Sequence, residues 1–187
     1  MATVSRAFDF AVSLVLLVLA SPLFLLVAVL IKLDSPGPVF FLQERVGRRW
    51  SRFKMLKFRK MHHRPDATGP CITSRYDPRV TQVGSWLERT KLDELPQLIN
   101  VLRGHMSLVG PRPPLPSEVD HYEWLFRKRL SIKPGITCLW QVSGRNQLSF
   151  REWMELDWRY VTNWSLWLDL KILLRTIPVV LGRRGAS

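Results

Sequence analysis

From Phe10 to Ile31 the chain runs for 22 residues without a charge, and that stretch limits the fold more than any other. Crossing a bilayer core takes roughly 20 apolar helical residues, so by length this is a membrane segment. Arg6 followed by an apolar run and Val18-Leu19-Ala20 has the outline of a cleavable leader, but the apolar character continues through Leu23 to Ile31, further than a leader's core extends. Ser21-Pro22 falls in the middle. Proline withholds a backbone N–H and crowds the preceding turn, so the sequence predicts two half-helices of about eleven residues meeting at an angle. A bent crossing and a return to the same face both satisfy that pattern, and Arg6, Asp9, Lys32 and Asp34 at its ends do not choose between them. The cations from Arg45 to Lys60 place the downstream domain on the cytoplasmic side.

The 187 residues leave room for one compact unit beyond the membrane segment, dividing the chain into 1–35 and 36–187. An excess of 28 Lys and Arg over 15 Asp and Glu gives +13, which calls for an anionic partner: nucleic acid, a phosphorylated metabolite or an acidic membrane. Eight tryptophans favour a boundary between apolar matter and water. Cys71 and Cys138 form no C-x-x-C, and His62, His63, His105 and His121 lack zinc spacing, so neither a disulfide framework nor a zinc site is expected.

Beyond the Ser35-Pro36-Gly37-Pro38 turn, Val39 to Arg45 and Phe53 to Arg59 read as a hairpin. The segment from His62 to Pro70 reads as a polar loop, and Val83, Trp86 and Leu87 lie in a helix. Pro96 suits only a first helical turn, so a helix is expected from near Asp93, burying Leu95, Leu98, Ile99 and Leu102 before Gly104. Prolines flanking Arg112 predict a rigid extended segment. Pro116 to Leu130 reads as a helix ending in Arg127-Lys128-Arg129, a solvated face by its charge. Lys133 to Thr137 reads as a turn, and Trp140 to Asn146 as a short strand and loop. Ser149 with Glu152 at its third position forms a capping box for a helix to Val161. The stretch from Asn163 to Leu181 is amphipathic and very apolar, suited to an interface or to a core in which Asp169 would need a cation.

Asp93-Glu94 puts two carboxylates at a helix start within a basic protein. Capping explains one of them. A helix start favours anions generally, and neighbouring helical residues point about 100° apart, so the two acids can serve different partners.

Taken together, the Ser21-Pro22 break, Lys57-Phe58-Arg59-Lys60-Met61, Leu92-Asp93-Glu94-Leu95-Pro96-Gln97-Leu98-Ile99-Asn100, Ser107 to Pro113, Lys133 to Thr137, Gly144-Arg145-Asn146 and Leu168-Asp169-Leu170-Lys171 resemble the bacterial sugar transferases, the monotopic polyprenyl-phosphate phosphoglycosyl transferases. The resemblance implies an α+β, mostly helical fold. In it, a re-entrant helix bent at Ser21 and Pro22 packs on a small catalytic domain with a short hairpin and interfacial amphipathic helices, at the cytoplasmic face of a bacterial inner membrane. It implies transfer of a sugar 1-phosphate from a UDP-sugar to polyprenyl phosphate with release of UMP, and Mg²⁺ as cofactor. It makes Asp93 the nucleophile and a metal ligand and Glu94 its acid-base partner. Lys57, Arg112 and Arg145 become substrate-phosphate ligands, with Asp157 and Asp169 as further polar positions of the substrate site. A carboxylate attacking phosphorus is workable where metal and cations neutralise the diphosphate.

Two positions depart from the family pattern: His105, where an acid usually follows the glycine, and Cys138, where a glycine is usual and a positive φ would strain any other residue. The run from Trp140 to Arg145 looks more like hexose-transferring members. Anionic lipids are expected partners and nucleic acid is not; oligomeric state, a homodimer included, is left open. The rival reading is a non-catalytic, membrane-anchored basic protein that binds anionic lipid or nucleic acid. It leaves Asp93-Glu94 without a purpose, and the aromatics and cations do not alternate as a single-strand groove requires.

Overall fold

The computed structural model describes residues 2–62, 77–120, 122, 126–144 and 148–181. The expected loop after His62, Cys71 and Arg145 lie outside these residues. Helix α1 spans Ala2–Asp34 and contains Pro22. It is one uninterrupted helix rather than two. Pro22 lacks the N–H that would bond Val18 O four residues back, and the Ser21 hydroxyl donates to that oxygen instead, at 2.7 Å. The expected angle at this point is therefore not marked by a break in the helix. Phe8, Phe10, Leu19, Leu25, Leu26 and Leu33 are exposed, while Val27 and Ile31 pack on Phe58 and Leu87.

Both ends of α1 are tied down. Arg6 donates to the carbonyls of Val101 and Leu102. Asp9 accepts from the Ser107 hydroxyl at 2.7 Å and Leu108 N at 3.2 Å, and Asp34 accepts from Val83 N at 3.0 Å. Arg59 covers the last turn, donating to Ile31 O, Ser35 O and Pro36 O.

Strands β1 (Phe40–Val46) and β2 (Arg52–Phe58) form the expected antiparallel hairpin. Helix α2, Gln82–Thr90, is capped by the Thr81 hydroxyl, which accepts from Gly84 N at 2.9 Å. Helix α3 is Gln97–Leu102, and its buried face is Gln97, Leu98, Asn100 and Val101 rather than Ile99 and Leu102. Asn100 acts as a piece of strand, accepting from Leu56 N at 2.9 Å and donating to Lys54 O at 2.8 Å.

The expected turn at Lys133 to Thr137 holds a strand instead. β4 (Gly135–Thr137) pairs in parallel with β3 (Ser107–Val109). Only glycines permit this approach: a Cβ on Gly135 would stand 2.0 Å from Gly110 N. Among the described residues of the helix expected from Pro116 to Leu130, Pro116–Val119 form α4 and Phe126–Ser131 a 3-10 turn. Arg129 turns inward there to a buried acid, so the basic triplet is not wholly a solvated face. Trp140–Val142 is a 3-10 turn and not a strand; Trp140 stacks on Trp153 with ring centroids 4.4 Å apart.

Helix α5 (Phe150–Thr162) carries the expected Ser149–Glu152 capping box. Helix α6 (Leu166–Leu181) buries Asp169 and Ile172 and exposes Leu166, Trp167, Leu170, Leu174 and Ile177. Among the described residues no cation pairs with Asp169: Tyr160 Oη donates at 2.6 Å and Trp164 Nε1 at 3.0 Å. The main core gathers Leu98, Leu108, Val109, Tyr160 and Ile172 between α3, β3, α5 and α6.

Candidate functional site

Helix α2 ends at Lys91, whose φ of 60° is left-handed. Such a residue is usually glycine, and a lysine there stores about 1–2 kcal/mol of strain. The reversal starts the 3-10 turn Leu92–Glu94 and so aims the two acids. The expectation that Asp93 opens an α-helix is not met; α3 begins four residues later, behind Pro96.

The two carboxylates diverge. Glu94 lines a small recess, open to solvent, with Met55, Lys57, Gln97, Arg112, Ile136 and Gln141. Lys57 Nζ donates to Glu94 Oε1 at 2.9 Å. Burial alone would raise the Glu94 carboxyl, but Lys57, Arg112 and Lys91 outweigh it and hold the group well below the usual range. Asp93 is not among the lining residues; it is 5 % exposed, and its Oδ1 has no hydrogen-bond partner among the described residues. Burial and the Glu94 charge raise its carboxyl, against the pull of Lys57, Lys60 and Lys91. One acid is thus fixed as an anion and the other is a more basic, unpartnered oxygen.

Lys57 and Arg112, two of the residues expected to bind phosphate, are therefore brought to one recess with Glu94, the expected acid-base partner. Asp157 and Asp169 are not among its lining residues. Asp157 is 1 % exposed and lies 2.7 Å from Arg129 Nη2; burial raises its carboxyl to about 6 in spite of that cation. Asp169 is 6 % exposed, with burial raising its carboxyl against the hydrogen bonds from Tyr160 and Trp164. Cys138 is buried and has no positive φ, so the expected strain is absent; its N donates to Gln141 Oε1 at 3.1 Å. His105 stacks on Phe53 at 5.7 Å.

Gln97, Gln141 and Arg129 were not foreseen. Gln97 is the only one with a signal in the sequence, three residues after Glu94 and so on the same helical side. Among the described residues no three His, Cys, Asp or Glu side chains gather as a metal cage. Mg²⁺ is commonly held by one or two carboxylates plus substrate phosphates, and the unpartnered Asp93 Oδ1 beside Glu94 suits such a site.

Residues 1–183 match the family described as Bacterial sugar transferase. Exopolysaccharide production protein ExoY of Rhizobium meliloti is 43 % identical, the alignment covering 97 % of this chain and 87 % of that protein. The UDP-glucose:undecaprenyl-phosphate glucose-1-phosphate transferase of Caulobacter vibrioides is 44 % identical, with 97 % and 71 % covered. The undecaprenyl-phosphate galactose phosphotransferase of Salmonella typhimurium is 41 % identical, with 97 % of this chain matching 41 % of a longer protein. By these matches, which run over nearly its whole length, the chain belongs to the bacterial sugar transferase family.

Proposed function

We propose that this chain transfers a sugar 1-phosphate from a UDP-sugar to undecaprenyl phosphate, opening the assembly of an exopolysaccharide or related surface glycan. The observation that carries this reading is the convergence of Lys57, Glu94 and Arg112 on one recess beside an acid with an unpartnered oxygen. An Asp93 oxygen attacks the sugar-bearing phosphorus, the bond from that phosphorus to the bridging oxygen breaks, and UMP leaves with the electron pair. The lipid phosphate then attacks the same phosphorus and releases Asp93. Lys57 and Arg112 hold the diphosphate, and Glu94, an anion in the resting site, manages the acceptor's charge or proton. The raised basicity of Asp93 favours attack over resting as a weak carboxylate. Asp93 would hold Mg²⁺, which when bound offsets diphosphate charge.

We further propose that α1 is re-entrant, entering and leaving the cytoplasmic leaflet of the bacterial inner membrane. A helix that crosses a core of about 30 Å carries one end away from a domain on the other side. Here Arg6 and Asp34 both hold the same domain. The names of the relatives make glucose and galactose the first donors to try.

The test is UMP release over a panel of UDP-sugars with undecaprenyl phosphate, with and without Mg²⁺, followed by mapping of the phosphosugar adduct. Release from no donor would sink the proposal. An adduct on Glu94, the acid that lines the recess, would move the nucleophile there.

A further inference from the structure

Pro111, Arg112, Pro113 and Pro114 hold four consecutive carbonyls, and all four accept from outside the segment: one from β4, one from the 3-10 turn at Phe126–Ser131 and two from β1. Pro111 O accepts from Gly135 N at 3.0 Å and Pro114 O from Val46 N at 3.0 Å. Arg112 O accepts from Arg129 Nη2 at 2.8 Å, and Pro113 O from Arg45 Nη1 at 2.9 Å. Prolines have no N–H, so at Pro111, Pro113 and Pro114 the backbone can be gripped only through its carbonyls.

Two of the four donors are guanidinium groups, each 6 % exposed. Burying such a cation is costly, and even a paired one seldom improves on an apolar replacement. Arg129 nevertheless has Asp157 Oδ2 at 2.7 Å and the Tyr122 hydroxyl at 2.9 Å, and Arg45 has Gln43 Oε1 at 2.7 Å. Stability of the fold gives a weak reason for this outlay. The residue between the two grips gives a stronger one: Arg112 lines the recess with Lys57 and Glu94 on one flank and a second one, with Arg129 and Pro134, on the other.

We infer that Arg129, neutralised by Asp157, and Arg45 are positioning residues that fix Arg112 against the donor diphosphate by clamping the carbonyls of residues 112 and 113. The inference rests on the proposed transfer reaction. Asp157 then serves the substrate through Arg129 and Arg112, without touching it.

The experiment is a double-mutant cycle in the full chain, with UMP release from UDP-glucose and UDP-galactose in the presence of undecaprenyl phosphate as the readout. Arg129→Met should lower kcat/KM by about 10- to 100-fold, since a misplacement near 1 Å has effects of that size. In an Arg112→Ala background the same change should have little further effect, because its target is gone. Losses that multiply in the two backgrounds would overturn the inference, as would wild-type kcat/KM in Arg129→Met. Should Arg129→Met not accumulate folded, Asp157→Asn and Arg45→Gln enter the same cycle and are judged by the same criterion. Wild-type protein inactive on every UDP-sugar would instead fail the underlying reaction, a different result from an active enzyme with a multiplicative cycle.

Discussion

Lys57 on β2 and Glu94 in the 3-10 turn after α2 stand 37 residues apart in sequence, and Nζ meets Oε1 at 2.9 Å. The pair joins the hairpin to the acidic turn and fixes Glu94 as an anion in a partly buried site. Its partner in sequence, Asp93, receives no such contact from the described residues, so adjacent carboxylates are driven in opposite directions by their surroundings.

Asp93→Asn should abolish both UMP release and the phosphosugar adduct while making the protein more stable at neutral pH. The folded-state carboxyl is raised, so its contribution to stability is full below the unfolded value near 4 and is lost as pH rises through the folded value. Thermal melts in detergent should show the variant a few degrees above wild type at pH 7.5 and level with it near pH 4.

Lys57→Met removes the main cation holding Glu94 down, leaving burial to push the carboxyl up. The acid limb of the kcat/KM profile should therefore move to higher pH. Glu94's own contribution to stability, present above its unfolded value and lost as pH falls through the depressed one, should shrink in parallel. An unmoved limb would show that Glu94 does not govern it.

Gly135→Ala places a methyl 2.0 Å from Gly110 N and 2.5 Å from Val109 C. Both contacts are backbone, so β3 and β4 must separate. A loss of about 3 kcal/mol in stability should accompany a raised KM for the UDP-sugar, since Arg112 follows directly on the displaced segment. Chemical denaturation and initial-rate kinetics check the two effects.

Tyr160→Phe withdraws the hydroxyl that donates to Asp169 at 2.6 Å. It should cost about 1–3 kcal/mol and leave the donor KM alone, because Asp169 stands outside the recess. A donor-selective change in KM would return Asp169 to the substrate site.

Ser5→Cys and Lys32→Cys, made with Cys71 replaced by serine, report on the ends of α1. Both should resist a membrane-impermeant maleimide in intact spheroplasts and react after lysis. Labelling of Ser5→Cys from outside would mean that α1 crosses the bilayer.

The hairpin, the Ser149–Glu152 box and the apolar α1 were legible because each rests on local rules of period, turn and cap. The recess was legible only through motif resemblance for Lys57, Glu94 and Arg112. Periodicity failed where distant groups decided the outcome. Arg129 read as one cation of a solvated triplet and is drawn in by Asp157 and the Arg112 carbonyl. Gly135 read as a turn residue and is the contact that lets two strands pair. Asp169 seemed to require a cation and is served by neutral donors from a tyrosine and a tryptophan.

The acceptor-only grip on residues 111–114 also restricts how this protein can drift. Exchanging Pro111, Pro113 or Pro114, all buried, for any other residue introduces an amide hydrogen that must find its own oxygen in a crowded interior. Their ring stiffness can be imitated, whereas the missing donor cannot, so tolerance at these three sites should be narrower than backbone shape alone requires.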